Sequence, residues 1–154
     1  MDLRTCPRVS LIGAGRCGKS RYEQARILGG LLAQSGFTII CGGLGGIMEG
    51  AARGAQEHGG ITVGILPGSN PLEANSYITF PLATGLGPMR NYLVVLNGEI
   101  VVAMGGAAGT LSEIGLALKI NKTVIGLDEW AEIPGVVQAA GPDHVVELVK
   151  HYLL

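Results

Sequence analysis

One stretch decides the fold: EIVVAMGGAAGTLSEIGLALKINK, residues 99–122. It opens with an apolar run, Ile100–Met104, that has the length of a buried strand. Glycines and alanines occupy 105–109, and apolar side chains with helical spacing follow directly. A strand that passes through glycines into a helix leaves backbone N–H groups free at the positive end of the helix dipole. The stretch therefore predicts a strand, a glycine turn and a helix that together hold an anion such as a phosphate.

Apolar runs and helical patterns alternate along the rest of the chain. The runs are apolar at successive positions, which is typical of a parallel sheet covered by helices on both faces. The pattern predicts a doubly wound, Rossmann-like α/β fold of three layers, in a single domain over 1–154. We expect strands at 9–12, 37–41, 61–66, 77–82, 100–104, 123–127 and 135–138, and helices at 20–34, 47–58, 87–96 and 142–153 besides the one after the glycine turn.

Three of the expected strands end in glycine-rich turns. Because parallel strands end at the same edge of a sheet, we expect these turns to converge on one ligand site. Glycine suits such turns because a Cβ would block the ligand and because some positions need a positive φ. Phosphate or nucleotide binding is therefore predicted for glycines from all three turns: Gly13, Gly15, Gly42, Gly43, Gly46, Gly105, Gly106 and Gly109.

Composition argues against several classes of protein. The formal net charge is −1 and the pI is near 6.3, so there is no general attraction to nucleic acid. No apolar run approaches the roughly 18 residues that cross a bilayer, and the start, MDLRTCPR, lacks the layout of a signal peptide. The three cysteines show no metal-ligand spacing. We expect a cytoplasmic protein with free thiols, no bound metal, and neither a membrane nor a nucleic acid as partner.

A phosphate loop of an NTPase is one alternative. The residues GAGRCGKS at 13–20 match G-x-x-x-x-G-K-[ST], and TVIGLDE at 123–129 resembles an acidic strand that holds magnesium. However, Ser20 and Glu23 have the spacing of a capping box, which predicts that the helix begins at Ser20 rather than inside the loop. The NTPase hypothesis also leaves the other glycine turns without a role. It predicts Mg-dependent phosphate release that Lys19→Ala abolishes.

A dinucleotide site is a second alternative. The same first turn fits G-x-G-x-x-G, but that fold needs an acidic residue at the end of the second strand to hold the ribose. Here the second strand ends in Ile40, Cys41 and Gly42. We therefore exclude NAD.

Three segments together resemble a known superfamily: MGGAAGTLSE at 104–113, GPMRN at 87–91 and CGGLGGIME at 41–49. They are similar to the Lonely Guy (LOG) and molybdenum-cofactor-carrier proteins, whose motif is PGGxGTxxE. Met104 replaces the proline of that motif, and two residues instead of one separate Gly106 from Gly109, while Gly105, Gly106, Gly109, Thr110 and Glu113 match its fixed residues. The segment TGLGPMRN at 84–91 resembles the short bacterial branch close to the cofactor carriers.

The resemblance implies roles for particular residues. In LOG enzymes the glycine loop holds a nucleotide 5′-phosphate, and an arginine and a glutamate act at the N-glycosidic bond. Carried onto this chain, Arg90 and Glu113 are the catalytic candidates, while Thr110 joins the glycines in the phosphate cradle and Arg90 and Asn91 contribute to nucleotide binding. A carboxylate is suited to this reaction because cleavage builds positive charge on the ribose ring.

Two functions remain open at this point. One is hydrolysis of a nucleoside 5′-monophosphate to free base and ribose 5-phosphate. The other is binding without turnover, by a carrier of the molybdenum cofactor or another phosphorylated ligand. Neither needs a resident cofactor. Thr110 and Glu113 also have the spacing of a capping box, so Glu113 has a purely structural alternative role.

The expected helix around Arg90 is apolar nearly all round, from Met89 to Leu96. One face can cover the sheet, and the other needs a different cover. This predicts a homodimer or a higher homo-oligomer.

Overall fold

The computed structural model describes residues 6–154. In this part of the chain, seven strands form one parallel sheet: β1 (Arg8–Gly13), β2 (Thr38–Cys41), β3 (Thr62–Leu66), β4 (Phe80–Ala83), β5 (Ile100–Met104), β6 (Thr123–Gly126) and β7 (Val137–Gln138). Their spatial order is β4-β3-β2-β1-β5-β6-β7. The order reverses between β1 and β5, so the switch point of the doubly wound sheet lies there.

Helices cover both faces of the sheet. The α-helices of the described chain are α1 (Lys19–Gln34), α2 (Ile47–Glu57), α3 (Arg90–Asn97), α4 (Ala108–Lys119) and α5 (Pro142–Leu153). The hydrophobic cluster on one face contains side chains of α1, α2 and α5, and the cluster on the other contains side chains of α3 and α4. This arrangement confirms the predicted three-layer, Rossmann-like α/β fold.

Strand β5 shows why runs that are apolar at every position belong in the centre of the sheet. Ile100, Val102 and Met104 face the α1/α2/α5 layer, whereas Val101 and Ala103 face the α3/α4 layer. All five residues are buried. A strand between two helical layers needs apolar side chains on both sides, which gives a continuous run instead of an alternation.

The three glycine turns lie side by side because their strands are neighbours in the order β2-β1-β5. Contacts between the turns fix their spacing. The Ile47 N–H donates to Ala14 O at 2.9 Å, which joins the turn after β2 to the turn after β1. The turn after β5 lies next to the turn after β1, because β5 and β1 are neighbouring strands. The glycine turn of the stretch at 99–122 therefore lies beside the other two turns at the carboxyl edge of the sheet.

Helix α1 corrects one sequence-based expectation. It begins at Lys19, with Gly18 in an extended N-cap conformation and no side-chain cap. The predicted capping box of Ser20 and Glu23 is wrong because Ser20 already lies within the first helical turn. The glycine and lysine open the helix, as in a phosphate loop, so the helix start gives no argument against the NTPase.

Two other elements differ from prediction near the fourth strand. Strand β4 begins at Phe80 rather than at residue 77, because the Asn75 side chain accepts the Tyr77 N–H at 3.0 Å and holds that residue in a turn. The expected helix at 87–96 begins as a 3-10 helix, Gly87–Met89, before α3. Strand β5 and helix α5 have the predicted bounds.

Within residues 6–154, no helix combines the length and the apolar character needed to cross a bilayer. The same part of the chain has no group of three His, Cys, Asp or Glu side chains placed to hold a metal ion. Residues 1–5, on which the expectation about a signal peptide partly rests, lie outside the described residues.

Candidate functional site

A cavity of about 530 Å³ opens at the carboxyl edge of the sheet, where the strand order reverses. Residues from the turns after β1, β2 and β5 line it, together with the start of α3 and the first turns of α4. It brings together most of the residues predicted from sequence: Gly13, Gly15, Gly42, Arg90, Asn91, Gly106, Gly109, Thr110 and Glu113. Gly43, Gly46 and Gly105 lie in the same turns but do not line this cavity.

The turn after β5 presents free backbone donors at the cavity mouth. Gly105 and Gly106 have φ values of +62° and +106°, in the region that favours glycine. Helix α4 follows with Ala107 as its N-cap and no side-chain cap. Within the described chain, no backbone hydrogen bond uses the N–H groups of residues 106–110 as donors. The first turn of α4 contains no acidic residue, so these donors and the helix dipole are available to an external anion.

Position 106 requires glycine because there is no room for a Cβ, in addition to its positive φ. A Cβ on Gly106 would lie 2.1 Å from Thr110 Oγ1. The Thr110 side chain is buried beneath the turn, so its hydroxyl lies against the backbone that we expect to bind phosphate.

Glu113 is a buried carboxyl group, with 8% of its surface exposed. Since α4 begins at Ala108, Thr110 lies inside the first turn and does not cap the helix. The structural alternative for Glu113, a capping box with Thr110, is therefore wrong. Burial raises the pKa of Glu113 to about 7, and the nearby positive charge of Arg90 acts in the opposite direction. The carboxyl group can thus gain or lose a proton near neutral pH.

Arg90 occupies the first position of α3, and its guanidinium lies between the turn after β2 and Glu113. Its Nη2 donates to Gly42 O over a long 3.4 Å, and its Nε is buried with no hydrogen-bond partner among the described residues. Burial lowers the pKa of Arg90, while the Glu113 carboxylate raises it. Asn91 has a similar feature, because its buried Oδ1 accepts no hydrogen bond in the described chain. Buried polar atoms without partners are uncommon, and these two belong to residues that line the cavity.

Other glycines of the turns allow close approach of protein groups. A Cβ on Gly42 would lie 2.7 Å from Arg90 Nη2, one on Gly13 would lie 2.1 Å from Met104 O, and one on Gly46 would lie 2.2 Å from Ala14 O. Each contact joins two of the elements that build the cavity. These glycines therefore shape the site by allowing the turns and Arg90 to approach one another closely.

The acidic residues and the lysine that an NTPase would use for magnesium and phosphate do not line the main cavity. Asp128 and Glu129, the acidic residues assigned to magnesium under that hypothesis, form ion pairs with Arg21 at 2.9 Å and 3.0 Å. Lys19 is exposed and does not line the main cavity, whereas Arg16 is exposed and does. Glu49, the last residue of the segment CGGLGGIME, accepts a hydrogen bond from the Tyr22 hydroxyl at 3.2 Å and lies outside the cavity lining. The geometry favours the turn after β5 as the anion site.

One residue that no sequence motif predicted contacts this turn. The Trp130 indole Nε1–H donates to Gly105 O at 2.7 Å, in a buried hydrogen bond across 25 positions of sequence. Trp130 belongs to a 3-10 helix, Asp128–Glu132, that follows β6. No local pattern signals this contact, because it depends on β5 and β6 being neighbours.

The chain resembles proteins of known family over almost its whole length. A model of the SLOG cluster4 family matches residues 7–150. An uncharacterized protein of Archaeoglobus fulgidus is 38% identical over 139 residues, which span 90% of this chain and 91% of that protein.

Two solved structures are also similar. The molybdenum cofactor binding protein of the phototrophic bacterium Rippkaea orientalis has a TM-score of 0.92 and 34% identity, covering 97% of this chain and 98% of that one. The molybdenum cofactor carrier protein of Chlamydomonas reinhardtii has a TM-score of 0.88 and 32% identity, with 96% and 98% covered. These matches confirm the resemblance inferred from the glycine motifs, and the chain belongs to the SLOG cluster4 family.

Proposed function

We propose that the cavity binds a phosphorylated small molecule that also carries a heterocycle, with the phosphate on the turn between β5 and α4. One observation carries this proposal: the uncapped N-terminus of α4 and the guanidinium of Arg90 line the same cavity. Free N–H groups and a cation are the two kinds of group that bind phosphate most strongly in proteins.

The leading candidate function is that of a carrier for a phosphorylated cofactor, with the molybdenum cofactor as cargo. The support comes from the similarity to the two molybdenum cofactor proteins, each over more than nine-tenths of both chains. The residues fit such a cargo. The turn would take the phosphate, while Arg90 and Asn91 line the same cavity and each has one buried polar atom without a partner among the described residues. A cavity of about 530 Å³ is within the usual range of small-molecule sites.

A second candidate is phosphoribohydrolase activity on a nucleoside 5′-monophosphate, and Glu113 is the observation that favours it. A buried carboxyl with a pKa of about 7 lies next to the proposed phosphate site. As a carboxylate, Glu113 would stabilise the positive charge on the ribose ring or activate the attacking water. Arg90 would hold a ribose hydroxyl or a phosphate oxygen.

One experiment separates the two functions. AMP, GMP, CMP and UMP are titrated into the protein by calorimetry, and the same mixtures are assayed for free base. A carrier is expected to bind its ligand without releasing base from any monophosphate. A ligand that copurifies with it from a host making the molybdenum cofactor should then have the mass of that cofactor or of a derivative. A hydrolase is expected to release base, with Glu113→Gln lowering turnover by about 10²–10⁴-fold.

Arg90 tests the phosphate site in either case. Arg90→Ala removes charge-assisted hydrogen bonds and is expected to weaken monophosphate binding by about 10–100-fold, whereas Lys119→Ala, at the far end of α4, should leave it unchanged. Equal affinity of wild type and Arg90→Ala would refute the proposed site. If none of the monophosphates, inorganic phosphate or the molybdenum cofactor binds, the proposed function is wrong.

We also propose that two copies of the chain associate through the outer face of α3. Met89, just before α3, is 73% exposed, and Tyr92 and Leu96 on the same helix are 38% and 44% exposed. Their spacing of three and four residues places them on one side of the helix.

A further inference from the structure

We propose that Trp130 is a positioning residue for the phosphate site, which holds the Gly105–Gly106 peptide so that the Gly106 N–H faces the ligand. The inference rests on the proposed phosphate binding and deepens it. It assigns a role to a side chain that does not line the main cavity and is 25 positions away in sequence.

The geometry of one peptide unit carries the inference. The Trp130 Nε1–H donates to Gly105 O at 2.7 Å in a buried environment. The peptide that links Gly105 to Gly106 is trans, so the N–H of Gly106 points away from the carbonyl of Gly105. Fixing that carbonyl on Trp130 therefore fixes the direction of the Gly106 N–H on the opposite side. Gly106 lines the cavity, whereas Gly105 and Trp130 do not.

Two consecutive glycines need such a restraint. Gly105 and Gly106 both have positive φ, and a glycine pair can adopt many other conformations at little cost. Without an external hydrogen bond the peptide could rotate and turn its N–H away from the site. A donor that is already oriented before the ligand arrives gives tighter binding, because no ordering is needed on association.

Trp130 is itself firmly held. Its backbone N–H donates to Leu127 O at 3.1 Å within the 3-10 helix. Arg21 on α1 pairs with Asp128 and Glu129 of the same 3-10 helix. A Cβ on Gly105 would lie 3.4 Å from Arg21 Nη1, so Gly105 is contacted by both Arg21 and Trp130. The anchor is thus connected to α1 and to β6, which are rigid parts of the fold.

The test compares Trp130→Phe with wild type, using AMP and adenosine as probes. Phenylalanine keeps an aromatic ring but cannot donate to Gly105 O. Because the lost bond orients a phosphate donor, the ratio of adenosine Kd to AMP Kd is expected to fall about five- to tenfold. Adenosine affinity is expected to change by less than about twofold. A general loosening of the fold would instead weaken both ligands together. Ile133→Val, which removes a methylene from the same hydrophobic cluster, is the matched control and should keep the wild-type ratio.

Amide hydrogen exchange separates this inference from the proposed function. In Trp130→Phe, the amide of Leu111, which donates to Ala107 O at 3.0 Å directly after the turn, is expected to exchange at least about fivefold faster, and in Ile133→Val at the wild-type rate. If wild type binds neither AMP nor inorganic phosphate, the proposed phosphate site fails, and the exchange result alone decides whether Trp130 positions the turn. Wild-type exchange in Trp130→Phe, or an unchanged ratio where AMP binds, overturns the inference.

A second variant covers the case in which Trp130→Phe does not fold. Arg21→Gln breaks the ion pairs that hold the 3-10 helix at Asp128 and Glu129. It is expected to lower the same Kd ratio by about two- to threefold and to accelerate exchange of the Leu111 amide. A wild-type ratio together with wild-type exchange would then count against Trp130 as the anchor.

Discussion

At the scale of the single residue, Glu113 links pH to the stability of the fold. Its pKa is raised from 4.5 to about 7 by burial. Between these two values, the folded chain binds a proton at this position that the unfolded chain has lost. Stability from Glu113 is therefore fully present below pH 4.5 and is lost as the pH rises to about 7.

We expect Glu113→Gln to remove this dependence. The amide has nearly the same shape and does not ionise, so the variant should be more stable than wild type at pH 8, by up to about 3 kcal/mol. The two proteins should converge near pH 4.5. Urea unfolding at pH 4.5, 6 and 8 measures the difference, with exposed Glu132→Gln as the control. An identical pH dependence in wild type and Glu113→Gln would show that folding does not raise the pKa of Glu113.

At the scale of the element, the unit β5–turn–α4 depends on Gly106. Alanine at this position must adopt φ near +106° and would place its Cβ 2.1 Å from Thr110 Oγ1. We expect Gly106→Ala to destabilise the fold by about 1–3 kcal/mol and to weaken AMP binding by at least about tenfold, because the turn must shift. Thermal unfolding and calorimetric titration measure the two effects.

Gly115 of α4 is the matched control for Gly106, which lies in the turn before this helix. It lies in the exposed interior of α4, and a Cβ there meets no atom within 4 Å. Gly115→Ala should therefore be neutral or stabilise the fold by up to about 1 kcal/mol, with unchanged AMP binding. Equal behaviour of Gly106→Ala and Gly115→Ala would contradict the special role of the turn.

The same unit shows what a sequence can and cannot predict. The bounds of β5 follow from its composition, because a central strand between two helical layers must be apolar at every position. The starts of α1 and α4 do not follow from the capping patterns of Ser20 and Thr110. In both cases a strand leads into a glycine turn, and the helix begins before the serine or threonine. Helix α1 begins at Lys19, one residue before Ser20, and α4 begins at Ala108, two residues before Thr110. Local patterns were overridden by the geometry of the sheet edge.

At the scale of the whole molecule, convergence of the turns could be predicted because parallel strands share one edge. Arg90 and Glu113 were found through their motifs, and the cavity contains both. The contact of Trp130 with Gly105 could not be predicted, since it depends on which strands are neighbours. Predicting a contact between a side chain and the backbone of another strand's turn requires the strand order, which a single sequence does not provide.

Helices α3 and α4 do not cover the whole of their face of the sheet, and the uncovered part is at the edge strand β4. Val63 and Ile65 of β3 face this layer, and their partners in β4, Phe80 and Leu82, are exposed on the same side. Helix α3 packs on β3, the neighbour of β4 in the sheet, and Met89, Tyr92 and Leu96 at α3 are exposed as well.

This combined apolar surface is expected to be covered by a second copy of the chain. Met89→Glu together with Leu96→Glu would place two charges in that interface, and we expect the double variant to sediment as a monomer where wild type sediments as a dimer or larger. Ile27→Glu is the matched control, since Ile27 is equally apolar and exposed on α1, in the opposite layer, and should leave the assembly intact. A monomeric wild type at micromolar concentration would show that the surface has another use. If Ile27→Glu alone dissociated the assembly, the interface would lie on the α1/α2/α5 layer instead.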